Sequence, residues 1–166
     1  MSGSIRNDAP ALAPGRCLPD ARIRTSEGEL LSLSDFKGRF NLLIVFARES
    51  AHPALDLLAR RYEEVRQREA EVIVLLQCDP DDAGRLRQMR GWPFVVGSDG
   101  DGSVARRLGG GLTSETLLCV TDRWGEIFWV SPLPAREAEE RIAEALAWLD
   151  FIEIQCPECF PSEWRD

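Results

Sequence analysis

The closest pair of thiols in the chain is Cys156-Pro157-Glu158-Cys159, in the stretch FIEIQCPECFPSEW near the C-terminus. Cysteines at this spacing can close a small disulfide ring and cycle between dithiol and disulfide. They can also aim two thiolates at one metal, as half of a zinc knuckle does. Four-coordinate zinc needs two further ligands. A second copy of the chain could bring them, as could Cys17, Cys78, Cys119 or His52. The redox pair is the preferred reading, with no cofactor; zinc held by Cys156 and Cys159 is the alternative. Five cysteines cannot all pair within one chain, and in a reducing compartment the expected state is free thiols.

Other candidates stand further apart. Cys78 follows an apolar run and precedes Asp79, at the sheet edge where α/β sites collect, though a small core residue is the simpler reading. Cys119 lies between Leu118 and Val120 and reads as core. Cys17 is near the N-terminal arm. His52, the sole histidine, sits in Arg48-Glu49-Ser50-Ala51-His52-Pro53, where it is either a proton carrier or polar anchor, or a solvated loop residue. Ser50 with His52 does not make a hydrolytic pair: the two are too close in sequence and lack an orienting acid.

The elements that must position these residues follow from pattern. ARIRT (21–25) and LLSLSDF are two short strands around Gly28. NLLIVFA (41–47) and EVIVLLQ (71–77) are apolar throughout, as strands buried on both faces are. Pro53 opens a helix with Leu55, Leu58, Tyr62 and Val65 on one face. Asp79 caps a second helix that runs to Gly91. A short extended piece (92–96), a turn (99–102) and a short helix to Leu108 come next. After the Gly109-Gly110-Gly111 hinge, TLLCVTD (116–122) and IFWV (127–130) make a hairpin, and 135–149 is a last helix. The order predicts an α/β fold with a mixed central sheet flanked by helices. Residues 1–16 read as a loose arm, 17–150 as the domain and 151–166 as a tail. The tail is apolar enough to dock on its own domain, with Trp124 and Trp129 as neighbours, or on a second copy.

Composition narrows the function classes. The chain has 166 residues, 44% of them hydrophobic, enough for one domain with a sizeable core. Its net charge of −8 is ill-matched to nucleic acid. No apolar run approaches the ~20 residues of a membrane helix, and the N-terminus lacks the apolar stretch of a secretory signal. The expected location is cytoplasmic.

Three segments together resemble the alkyl hydroperoxide reductase / thiol-specific antioxidant (AhpC/TSA) family of peroxiredoxin-like redoxins. They are PGRCLPDARIRTSEGELLSLSDFKGRFNLLIVFA, PFVVGSDGDGSVARRLGG and LLCVTDRWGEIFWV, in the family's order. The resemblance implies a thioredoxin-like fold and thiol-based redox chemistry, with a thiol reductant or protein partner and a possible homodimer. In that family a nucleophilic cysteine follows the strand equivalent to 41–47, at a helix start, where the dipole favours a thiolate. Ser50 stands about there, and Pro53 stands where a thioredoxin-like second cysteine would. Thr116 stands where the peroxidases place an arginine and thioredoxins a cis-proline. The resemblance therefore implies a degenerate family site at Ser50, His52, Pro53 and Thr116, and moves any redox (antioxidant) role to Cys156 and Cys159. The alternatives are a non-catalytic binding module and a zinc-linked dimer.

Overall fold

Strand β3 (Asn41–Ala47) is buried along its whole length, because it is an interior strand of a sheet covered on both faces. The computed structural model describes residues 12–109 and 115–155. Seven strands form one sheet: β1 (Arg22–Thr25), β2 (Leu30–Ser32), β3, β4 (Ala70–Leu76), β5 (Val95–Ser98), β6 (Leu117–Thr121) and β7 (Ile127–Pro132). Their spatial order is β2-β1-β5-β4-β3-β6-β7. The β3–β4 and β4–β5 pairs are parallel; the other four are antiparallel.

Alternation along β3 and β4 divides the core into two layers. Leu43, Val45, Val72, Val74 and Leu76 face one side, where α1 (Pro53–Arg60), α2 (Tyr62–Arg66), α3 (Pro80–Arg90) and α5 (Ala138–Ile154) pack. Leu42, Ile44, Phe46, Ile73 and Leu75 face the other, beneath α4 (Ser103–Leu108) and Ile23 and Leu33. A register shift between Val120 and Thr121 adds one residue to β7. Adjacent Phe128 and Trp129 therefore both pack against the first layer, which strict alternation would forbid.

Local chemistry sets most boundaries as the sequence predicts. Asp79 accepts a hydrogen bond from the Asp82 N–H at 2.8 Å, with Pro80 at the first helical position. Gly91 ends α3 in the left-handed conformation, φ 66°, where a side chain would be strained. Several boundaries differ. LLSLSDF is extended only over Leu30–Ser32 and turns into a 3-10 helix at Leu33–Phe36. The helix read from Pro53 through Val65 breaks at Arg61 (φ −102°), where the chain turns so that Tyr62 can donate to Glu71 at 2.7 Å and meet Phe94 edge-on. The last helix begins as a 3-10 turn at Ala135–Glu137 and continues past residue 149 to Ile154, because Leu149 and Ile152 are both buried. Phe151, Ile152 and Ile154, read as tail, are helical. The last residues of the arm are also tied down: the Gly15 N–H donates to the Ile127 carbonyl, the Ile127 N–H to the Arg16 carbonyl, and Cys17 bridges Glu126. The arm before Leu12, part of the triple-glycine hinge, and the pair Cys156 and Cys159 lie outside the described residues.

Candidate functional site

The loop after β3 lies at the carboxyl end of the central strand, beside the ends of β4 and β7 and the start of β6. The Arg48 backbone and the His52 ring both have structural partners. The Arg48 N–H donates to Thr116 Oγ1 at 3.0 Å. The Thr116 carbonyl accepts from the Leu133 N–H at 2.9 Å, so Thr116 joins the loop to the segment after β7. Thr116 is itself buried. Thr116 thus spends its hydroxyl on the backbone.

His52 does the same on the helix side. It is the N-cap of α1: Nδ1 accepts from the Ala54 N–H at 3.1 Å, and its carbonyl accepts from the Leu55 N–H. A ring nitrogen that accepts carries no proton, so Nε2 is the protonated nitrogen and donates to the Leu133 carbonyl at 2.8 Å. The ring is only 7% exposed. The solvated-loop reading is overturned: this histidine is a buried cap with both nitrogens in use, which is the part of a polar anchor. Pro53 follows at the first helical position, as expected, and its missing N–H leaves one donor fewer at this helix start. Ser50 is exposed, in the turn two residues before the cap. The cap was legible as the residue before a helix-opening proline; Leu133, which holds the ring from 81 residues away, carried no sequence signal.

The three described thiols stand apart. Cys119 is mid-strand and fully buried, and burial pushes its thiol up to about 12. Cys78 is half-buried just past β4, raised by burial and then by Asp82 and Asp79. Cys17 is exposed near the β6–β7 turn, raised by its partial burial and then by Glu126 and Asp122, with Lys37 opposing. All three are shifted toward the protonated thiol, the opposite of what a nucleophilic cysteine needs. Among the described residues no three histidine, cysteine or acidic side chains gather as a metal site. Of the four side chains named from sequence as completing a zinc site, His52 has both nitrogens committed and Cys119 is enclosed in the layer beneath α4.

The opposite end of the strands holds the end of α5. Near the end of α5, Glu153 accepts from Asn41 Nδ2 at 2.8 Å and from Arg123 Nη2 at 3.1 Å. The same Arg123 nitrogen reaches Glu69, and Arg68 pairs with Asp150 at 2.8 Å. Asn41 begins β3 and Ala47 ends it. The last turn of α5 and the Ser50 loop are thus separated by the length of that strand, ~20 Å at ~3.3 Å per residue. This clasp had no signature in the sequence.

Solved structures share the architecture. Peroxidoxin BcpB from Mycobacterium tuberculosis superposes with a TM-score of 0.74 at 16% identity, over 87% of this chain and 99% of that one. AhpC from Mycobacterium bovis gives 0.73 at 16% identity, over 94% and 99%. A putative protein disulfide isomerase from Bacteroides thetaiotaomicron gives 0.71 at 16% identity, over 85% and 90%. No curated protein matches the chain. The seven-stranded sheet with its flanking helices is the thioredoxin-like fold of these peroxiredoxins. The AhpC/TSA family model matches residues 14–129, well over half of the 166 residues, and the chain belongs to the AhpC/TSA family.

Proposed function

We propose that this chain is a thiol–disulfide redox protein of the AhpC/TSA family whose working thiols are Cys156 and Cys159, the family position at Ser50 having lost its chemistry. The observation that carries the reading is the state of the remaining sulfurs. Cys17, Cys78 and Cys119 are each held toward the protonated form. A serine hydroxyl at residue 50 cannot replace a thiolate. The two cysteines of the C-x-x-C pair are the ones left to react. Gln155 stands at the far edge of the sheet from Ser50, and Cys156 is the next residue, so the pair works apart from the loop of its own protomer.

The chemistry is an exchange. One thiolate of the pair attacks a sulfur of a substrate disulfide, forming a mixed disulfide and releasing one substrate thiolate. The second cysteine then attacks the mixed disulfide as its thiolate, closes the Cys156–Cys159 bond and releases the other. The pair gives up two electrons and two protons in all, and an external dithiol returns them. A reducing cytoplasm would supply that reductant.

The test is mass spectrometry of the purified protein before and after reductant, with metal analysis of the same sample and Cys156→Ser as control. A reducible bond between residues 156 and 159, lost in the variant, supports the proposal. Stoichiometric zinc on the pair would overturn it in favour of a zinc-linked dimer. Freely alkylating thiols that bind no metal and resist mild oxidation would overturn it in favour of a binding module.

A further inference from the structure

Aromatic side chains gather where α5 meets the outermost strand. Phe128 of β7 meets Phe151 of α5 edge-to-face, ring centroids 6.5 Å apart, and Phe151 meets Trp148 at 5.6 Å. Phe128 and Trp148 are half-buried. Phe151 keeps 47% of its surface exposed and Ile154, about one turn on, 81%. Single exposed apolar residues such as Leu30 and Met89 are ordinary; a contiguous group at one helix end marks a contact surface.

The strand beside this group is covered only at its start. The arm pairs with Gly125 and Ile127, then the turn Ala13-Pro14-Gly15-Arg16 (Gly15 φ 87°) carries the chain away. No described strand borders β7 beyond that point on its outer side.

We propose that the chain's own C-terminal segment, residues 156–166, docks on the Phe128–Trp148–Phe151 surface. The place of exit favours it: α5 ends one turn past Phe151, and Gln155 turns to an extended conformation, φ −68° and ψ 126°. Pro157 bars any continuation of the helix. The length suffices. Eleven further residues reach at most ~36 Å when extended, against ~20 Å for β7. The composition is complementary, since Phe160 and Trp164 supply two rings to a surface of three. Pro157 and Pro161 lack N–H groups, so the segment is held by side chains more than by a strand ladder. Tethering decides between this segment and a second copy. A linked segment acts at an effective concentration in the millimolar range and needs few contacts. A stable dimer needs ~800 Å² from each partner, well beyond the exposed parts of four side chains. Docking sets Cys156 and Cys159 against α5.

The test uses the full-length protein, fully reduced and treated with chelator, alkylated over time and read peptide by peptide in the mass spectrometer. Cys156 and Cys159 are expected to react more slowly than in the urea-unfolded chain by about tenfold or more, ~1.4 kcal/mol of protection. Phe151→Ser and Trp164→Ala should each restore the unfolded rate while leaving the urea midpoint of the domain in place. Reaction at the unfolded rate in the unaltered protein would overturn the proposal. So would protection that survives both substitutions. Protection that rises with protein concentration would overturn it in favour of a second copy on the same surface. Because the protein is reduced and free of metal throughout, the result is independent of whether the pair cycles.

Discussion

The two edges of the sheet are built on opposite terms. At the carboxyl end of β3, His52, Thr116 and the Arg48 backbone are all engaged in hydrogen bonds, and Ser50 is exposed. At the other end, ion pairs pin the last turn of α5, and apolar rings are left at the surface with a C-x-x-C pair just beyond them. The first edge is held by hydrogen bonds within the fold. The second is firmly anchored and unfinished. His52 and Thr116 are tied down in this way because a buried polar group must be satisfied whether or not it does chemistry.

The largest effect that calibrates this contrast belongs to the thiol between the two edges. Folded Cys119 keeps its proton up to about 12, whereas the unfolded chain releases it near the ordinary 9.0. The stability this contributes is complete below pH 9 and is lost as pH climbs toward 12. Urea titrations should show a fall of up to about 4 kcal/mol across that range. Tyr62, also raised by burial, adds to the fall at the upper end. Cys119→Ala should remove most of the fall, leaving the shares of Tyr62, Cys78 and Cys17; an unchanged slope would mean that the thiol is not enclosed.

Next is the clasp of the loop. His52→Ala removes the cap of α1 and strands the Leu133 carbonyl, so the domain should lose about 3 kcal/mol in denaturant unfolding. His52→Asn, which keeps a capping acceptor, should recover about 1 kcal/mol. A loss under about 0.5 kcal/mol, within the scatter of ordinary surface substitutions, would show that the loop does not depend on this ring.

The other edge should yield less. Arg123 is about one-third exposed, and Glu153 keeps its bond from Asn41 when the arginine is gone. Arg123→Ala should cost no more than about 1 kcal/mol, with faster hydrogen exchange confined to the last turn of α5. Exchange that accelerates along the whole helix would mean that the clasp holds more than its end.

Ser50 should matter least. Ser50→Ala is expected to leave any disulfide-reductase or peroxidase rate unchanged, and a loss of about tenfold, ~1.4 kcal/mol, would return the chemistry to the loop. Ser50→Cys sharpens the point. The helix start offers little to a thiolate, since Pro53 has no N–H and those of Ala54 and Leu55 are bonded to His52. The new thiol should titrate near its ordinary ~8.5, and a value well below that would show donors still free.

Much of the molecule was legible in the amino-acid order. The apolar runs at 41–47 and 71–77 demanded strands buried on both faces, because residues without polar side chains have no face to give to water. Asp79, Gly91 and Pro53 marked helix ends through local backbone chemistry that needs no distant partner. The family likeness could be read from three ordered segments. The tertiary structure decided what sequence neighbours could not. It chose the use of His52, because the carbonyl that fixes its ring arrives from residue 133. It extended the last helix to Ile154, because burial of Ile152 and the bonds of Glu153 to Asn41 and Arg123 outweigh the pull to end it near Leu149. It also set the C-x-x-C segment's point of departure a full strand length from the family loop. Composition and spacing name the groups able to react; which of them share a place depends on contacts between residues far apart in the chain.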